Sequence, residues 1–254
     1  MCDNYIDNQK TVIITVQGKG GIYMEIVSTY SCKITHYNHI FKDTVRIYRE
    51  VIDFLIPVCL ENWDDIMQIR SAKEKQGHVE DLVHATGNNP CVPYPEFDRR
   101  FYKLPSYLRR SAITSAIGKV SSYKSNLLRW ENSDPQTRGR MPSIPKAGYE
   151  YPCMYRGNMY EKTGMYTAKI KVFIRNTWDW LDICLKKSDA DYIERHCRPF
   201  KADKDDPSLL KSRKICAPFL QKRGREWFLD FPVEEKCNLV NTDIADQRIL
   251  AADL

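Results

Sequence analysis

The spacing of apolar residues divides the chain into β-rich ends and a helical middle. Residues 11–16 are all β-branched and lead into a glycine-rich turn, so they predict a strand that pairs with 22–27. From Asp43 onward, apolar residues recur at three- and four-residue steps, which predicts a helix that Pro57 kinks or ends. Before residue 96, the pattern also predicts two weaker helices, at 62–73 and 78–86, and a loop at 87–95.

The clearest helix is predicted at 106–130, directly after Pro105. At 100° per residue, its apolar residues form a stripe roughly 100° wide, the width expected of a face that packs on a core. They are Ala112, Ile113, Ala116, Val120, Tyr123 and Leu127. The opposite face has small side chains, mostly hydroxyls, which permit close approach of another backbone and can donate hydrogen bonds to it. They are Ser111, Thr114, Ser115, Gly118, Ser121, Ser122 and Ser125.

The second half of the chain returns to β-structure after a linker. Residues 131–148 contain three prolines, two glycines and few apolar residues, which predicts a boundary between domains. Later patterns predict a half-buried strand at 168–174, a short helix at 178–187 and a second helix that starts at Ser188. They also predict a hairpin around Gly224, at 213–233, and a final apolar strand at 248–254. No fixed-period repeat is visible, and the predicted fold class is α+β.

Composition and cysteine spacing narrow the functional classes. The 254 residues are 43% hydrophobic and 28% charged, and no apolar run approaches the ~20 residues that span a bilayer. The N-terminus has no secretory signal pattern, so we expect a cytoplasmic globular protein without a membrane partner. Nine cysteines without a Cys-x-x-Cys pair indicate neither a disulfide framework nor a zinc ribbon. Cys32, His36 and His39 are irregularly spaced for tetrahedral zinc, and we interpret their proximity as coincidental.

Positive charge is concentrated around the long helix. The formal net charge is only +6, but the segment 99–130 has eight lysines and arginines and no acidic residue. Like charges at this density repel one another unless an anion neutralises them, which favours phosphate binding over the alternative of a merely solvated helix. The predicted nucleic-acid-binding residues are Arg99, Arg100, Lys103, Arg109, Arg110, Ser111, Ser115, Lys119, Ser122, Lys124, Arg129, Arg138, Arg140 and Lys146.

Three segments resemble one known family. They are YPEFDRRFYKLPSYLRRSAITSAIGKVSSYKSNLLRW at 94–130, YPCMYRGNMY at 151–160 with the WDW that follows, and the terminal RILAADL. In this order they are similar to the N-terminal part of the TnpB (OrfB) family of transposon-encoded, RNA-guided DNA nucleases, relatives of the type V CRISPR effectors.

The resemblance implies an α+β architecture and its ligands. An oligonucleotide-binding-like β-barrel, the wedge domain, would be split in sequence by an inserted helical recognition lobe, and guide RNA and target DNA would be the partners. The implied parts are the wedge (1–40 and 149–241), the recognition lobe (41–148) and the first strand of an RNase H-like (RuvC) domain (242–254).

The resemblance also bears on catalysis. Asp253 would be the first catalytic RuvC carboxylate and a Mg²⁺ ligand. The family's later RuvC segments, with a Glu, a second Asp and a Cys-x-x-Cys zinc element, are missing, and two-metal cleavage needs several acids. We therefore expect a nucleic-acid-binding module that does not cleave alone and needs no cofactor. The alternatives are a guide-directed, nuclease-dead repressor, part of a split nuclease with a separately encoded RuvC segment, and a non-functional remnant.

Overall fold

The computed structural model describes residues 11–18, 21–36, 39–197 and 213–238. Within them the chain forms helices and antiparallel sheets. The helices are α1 (Ile40–Glu61), α2 (Trp63–Gln68), α3 (Ala72–Val83), α4 (Glu96–Arg100), α5 (Ser106–Glu131) and α6 (Lys187–His196). The strands are β1 (Thr11–Gly18), β2 (Gly21–Ile34), β3 (Tyr160–Lys162), β4 (Thr167–Ile174), β5 (Thr177–Cys184), β6 (Arg213–Ile215), β7 (Phe219–Arg223) and β8 (Glu226–Asn238).

Helix α1 supplies the largest share of the core. Its buried stripe follows the predicted three- and four-residue spacing, but Pro57 does not end the helix, which continues to Glu61. Pro57 and Asp53 both lie on the exposed side. The proline removes the N–H that would bond to the Asp53 carbonyl, and such a loss costs less on the exposed side of a helix than in the core.

Helix α5 packs against α1 with four of the six residues of the predicted stripe, whereas the last two, Tyr123 and Leu127, are only partly buried and lie outside the core. Ala112, Ile113, Ala116 and Val120 are fully buried, and Leu108 extends the stripe toward the N-terminus of the helix. After α5, residues 132–150 contain no helix or strand. This segment, hereafter the connector, has the irregular structure predicted for it, and the domain boundary predicted there stays a prediction.

The strands form two antiparallel sheets. The larger one has the order β1-β2-β8-β6, and β7 also pairs with β8. The register of β1 on β2 runs to Gly18↔Gly21, so the predicted first hairpin is confirmed. The second predicted hairpin is also confirmed, because β7 and β8 pair up to Arg223↔Glu226. The smaller sheet has the order β3-β4-β5.

Two isolated pairings connect the sheets. Ile34, at the end of β2, bridges Leu185 after β5, and Cys153 bridges Phe219 in β7. In the part of the chain that the structure describes, the strands thus form two linked sheets and no closed barrel. The oligonucleotide-binding-like wedge stays a prediction.

The predicted short helix at 178–187 is wrong. Residues 177–184 form strand β5, which pairs with β4 along its whole length, from Ile174↔Thr177 to Thr167↔Cys184. The two residues between them, Arg175 and Asn176, have φ angles of 51° and 59°. Such angles are typical of a two-residue type I′ hairpin turn, which reverses the chain within the strand pair. The helix predicted to start at Ser188 is confirmed as α6.

One hydrophobic core runs through helices and sheets alike. Phe41 of α1 meets Trp227 of β8 edge to face, with ring centroids 5.2 Å apart. The Thr44 hydroxyl accepts the backbone N–H of Phe173 in β4 at 2.8 Å. The segments predicted as wedge and recognition lobe therefore share buried contacts. The predicted strand at 248–254, with Asp253 and the rest of the predicted RuvC start (242–254), lies outside the described residues.

The β4–β5 turn offers a test of the hairpin. Replacing Arg175-Asn176 by Asn-Gly (Arg175→Asn with Asn176→Gly) should raise the free energy of unfolding by about 1 kcal/mol, because Asn and Gly adopt left-handed φ at lower cost. Urea denaturation measures the change. An unchanged or lower stability of the Asn-Gly variant would contradict the turn.

Gly224 tests the hairpin of β7 and β8. It has a φ of 58°, which is strained for a residue with a Cβ even though the space around it is open. Gly224→Ala should therefore lower the free energy of unfolding, measured by urea denaturation, by about 1 kcal/mol.

Candidate nucleic-acid interface

A groove of about 610 Å³ lies between the serine-rich face of α5 and the connector. Hydroxyl, amide and glycine positions of α5 form one wall, and two prolines and a serine of the connector form the other. The lining residues are Ser115, Gly118, Lys119, Ser122, Tyr123 and Asn126 of α5, and Pro142, Ser143, Pro145 and Glu150 of the connector. The lining is about half polar and half apolar, so the groove offers hydrogen-bond partners as well as packing surface to a ligand.

Hydrogen bonds fix the connector beside α5. The Asp53 carboxylate of α1 accepts the Ala147 N–H at 2.6 Å, and the Arg49 side chain donates to the Glu150 carbonyl at 2.9 Å. At the other end, the Trp130 indole donates to the Gly139 carbonyl at 2.7 Å. Because both ends are held, the outer wall of the groove is part of the folded structure.

Three of the predicted ligand residues line this groove: Ser115, Lys119 and Ser122. A Cβ built on Gly118 would have no atom within 4 Å, so the surface is open at that position. The predicted cations of the connector, Arg138, Arg140 and Lys146, are exposed. Arg138 stacks its guanidinium on the Trp130 ring, 4.1 Å from the centroid.

The helical geometry places the predicted cations of α5 on two flanks instead of one. At 3.6 residues per turn, Arg129 lies about 80° around the axis from Lys119, on the groove side. Arg110 and Lys124 lie about 180° and 140° from Lys119, on the opposite flank. The groove therefore brings together only part of the predicted set.

Lys119 has an acidic partner inside the groove. Its ammonium group lies 2.9 Å from the Glu150 carboxylate, and both side chains are partly exposed, at 23% and 35%. Glu150 is the one acid among the lining residues. The sequence pattern did not point to Glu150, since its approach to α5 depends on the path of the connector. It also did not point to Asn126, which lies one turn after Ser122 on the same face.

Two predicted ligand residues, Arg109 and Ser111, are buried instead. Arg109 donates from Nε and Nη2 to one Glu80 oxygen, at 2.9 and 2.7 Å, and Arg110 donates to the other at 2.9 Å. The Ser111 hydroxyl lies 2.9 Å from the Tyr48 hydroxyl, which is also 3.3 Å from Ser115. These contacts join α5 to α3 and α1, so Arg109 and Ser111 stabilise the fold.

The Glu80 carboxyl responds to this environment. Burial opposes its ionisation, but the hydrogen bonds from Arg109 and Arg110 outweigh burial and lower the pKa of Glu80 below its ordinary value. The carboxylate is therefore the form that bridges both guanidinium groups.

The remaining predicted cations, Arg99, Arg100 and Lys103, lie just before α5, whereas the groove follows the helix from Ser115 to Asn126. All three are exposed. Arg100 approaches Glu50 of α1 at 3.7 Å. The first groove residue, Ser115, lies nine residues or about 14 Å along the axis from the start of α5, so this cluster is separate from the groove lining.

A second, more apolar pocket of about 320 Å³ lies near α6 and has Cys32 among its lining residues. Burial raises the pKa of the Cys32 thiol to about 12. The thiol therefore stays protonated and is a poor nucleophile.

No group of three or more His, Cys, Asp or Glu residues in the described ranges could hold a metal ion. Within the same ranges, no helix is long and apolar enough to cross a membrane.

Glu80→Gln tests the buried ion pair. The substitution leaves Arg109 buried without a countercharge, so the free energy of unfolding at pH 7 should fall by about 3 kcal/mol. Arg110→Gln, at the 46% exposed partner, should cost less than about 1 kcal/mol. Urea denaturation measures both, and equal losses would contradict the assignment of Arg109 as the main partner.

The same variant has a pH signature. Because folding lowers the pKa of Glu80 below its ordinary 4.5, the carboxylate stabilises the protein above that pH. Its contribution is lost as the pH falls through the lower folded value. The stability difference between wild type and Glu80→Gln should therefore shrink in acid, and a pH-independent difference would contradict the shift.

Comparison with known proteins identifies the family. An uncharacterized protein of Aquifex aeolicus (strain VF5), aq_aa04, is 29% identical over 118 residues, which is 44% of this chain and 68% of that protein. The Aq_aa04 family model matches residues 28–174. That match is more than half of the chain and includes the whole lining of the groove. The chain belongs to the Aq_aa04 family.

Proposed function

We propose that this protein is a nucleic-acid-binding module and that the groove between α5 and the connector binds the sugar–phosphate backbone of one strand. The observation that supports this most is the lining itself. Ser122 places a hydroxyl, and Asn126 an amide, along one helix face that is open at Gly118, whereas the Ser115 hydroxyl lies 3.3 Å from the buried Tyr48 hydroxyl and belongs in part to the packing of α5 on α1. Hydroxyl and amide donors of this kind are common partners of phosphate and sugar oxygens.

Cations at the rim supply the electrostatic part of the proposal. Arg129 lies one helical turn beyond Asn126, and Lys146 follows the lining residue Pro145. Both are exposed, and neither forms an ion pair among the described residues. Each cation that neutralises a phosphate releases a counterion, so binding should weaken steeply with salt.

The kind of nucleic acid rests on the resemblance to TnpB alone. That resemblance favours guide RNA and target DNA as the ligands, and the Aq_aa04 match adds nothing to it. The catalytic role of Asp253, with Mg²⁺ in a complete nuclease, stays a prediction for residues outside the described ranges.

Neutralising the rim tests the groove. Arg129→Gln with Lys146→Gln should weaken binding to a single-stranded oligonucleotide about tenfold near 0.1 M salt. The slope of log affinity against log salt should become shallower by about 1.4, because each single-strand phosphate contact contributes about 0.7. Fluorescence anisotropy over a salt series measures both quantities.

Arg70→Gln with Lys73→Gln provides a control matched in charge. Both residues are exposed and lie near the start of α3, away from the groove. We expect affinity within about twofold of wild type, because only long-range charge is lost. If this pair weakens binding as much as the rim pair, the effect is one of net charge, and the groove is not the site.

Glu150→Gln should have the opposite effect. The change removes the one acid that lines the groove and frees Lys119, so affinity should rise about three- to fivefold. The bond from Arg49 to the Glu150 main chain is kept, and loss of the partly exposed ion pair should cost less than about 1 kcal/mol of stability. Lower or unchanged affinity, measured by the same anisotropy titration, would contradict a phosphate in this groove.

A further inference from the structure

An exposed tyrosine projects from the corner between α4 and α5, just before the start of α5, which lies about 14 Å along the helix axis from the first groove residue, Ser115. We call residues 99–104 the Tyr102 corner. Two of its residues are buried anchors, Phe101 and Leu104, each 7% exposed. Between them, Tyr102 is 72% exposed. An exposed aromatic ring held between two anchors is positioned by the fold rather than left on a loose loop.

The backbone of the corner reinforces this geometry. The N–H of Leu104 donates to the Phe101 carbonyl at 3.1 Å, and Lys103 has a φ of 58°, in the left-handed region. This conformation is unfavourable for a residue with a Cβ and persists only where neighbouring contacts impose it. Here the Phe101 ring supplies such contacts, since it packs against Phe54 and Phe97 with centroids 5.9 and 5.1 Å apart.

Positive charges surround the exposed ring. The Lys103 ammonium lies over the Tyr102 ring, 5.2 Å from its centroid. Arg99 is exposed and forms no ion pair among the described residues, whereas Arg100 approaches Glu50 at 3.7 Å and places its guanidinium over the Phe101 ring, 5.2 Å from the centroid. A single lysine covers little of a ring that is 72% exposed, so most of the ring surface remains available.

We propose that Tyr102 stacks on an unpaired nucleobase while Arg99 and Lys103 bind the adjacent phosphates. The proposal rests on the nucleic-acid-binding function and names its ligand as a single-stranded segment. Paired bases are stacked inside a duplex and cannot cover the ring, whereas unpaired bases stack on aromatic side chains irrespective of sequence. The surrounding cations match the charge of the strand that such a base belongs to.

Aromatic variants test the stacking. Tyr102→Ala should weaken binding of a 20-nucleotide single strand about 10- to 50-fold, whereas Tyr102→Phe, which keeps the ring, should stay within about twofold of wild type. Binding of the matched duplex should change less than twofold. Tyr192→Ala, at a 41% exposed tyrosine of α6, is the control and should leave both affinities unchanged.

A spectroscopic measurement separates stacking from other roles. In Tyr102→Trp, the emission above that of wild type should be quenched by the single strand and not by the duplex. Equal loss of single-strand and duplex binding in Tyr102→Ala, or no loss of either, would overturn the proposal, as would absence of quenching.

The experiments also separate this inference from the function on which it rests. If wild type binds neither single strand nor duplex, the nucleic-acid-binding function fails and this inference fails with it. If wild type binds and the rim variants weaken binding while Tyr102→Ala does not, only the stacking inference fails. Because Tyr102 is largely exposed, we expect its variants to melt within a few degrees of wild type.

Discussion

Burial of α1 is the interaction on which the other parts of the structure depend. Its apolar stripe fills the core, and polar side chains beside that stripe bond to the parts packed around it. Thr44 accepts an N–H from β4, the Tyr48 hydroxyl meets Ser111 of α5, and Asp53 accepts an N–H from the connector. A buried helix that also satisfies backbone donors of its neighbours fixes their orientation as well as their distance. The groove beside α5 exists because α1 holds both of its walls.

The distribution of charge follows from this packing. The segment 99–130 has no acid of its own, but acids from three other places approach it: Glu50 of α1, Glu80 of α3 and Glu150 of the connector. Each of these three acids lies close to one or more cations of the segment 99–130. The surface is therefore less positive than the sequence indicates, and the cations without an acidic partner among the described residues are Arg99 and Lys103 before α5 and Lys124 and Arg129 in its C-terminal half.

Local periodicity predicted the long helices and both hairpins of the larger sheet, because each depends on residues close in sequence. It failed at β5, where apolar residues of 178–187 fit helical spacing as well as alternation, and pairing with β4 decided the outcome. For the candidate site, the sequence pointed to the serine face and to Lys119. It could not show that Arg109 is buried, because Glu80 lies 29 residues earlier in the chain.

The two parts of the connector differ in how many residues they can hold without changing the groove. Trp130 binds the carbonyl of Gly139, which closes residues 131–138 into a side loop, and Asp53 holds Ala147. Only the stretch from 139 to 147 spans the groove. Relatives of this protein can therefore acquire insertions in the side loop without altering the width of the cleft, whereas an added residue after Gly139 would bow the outer wall away from α5.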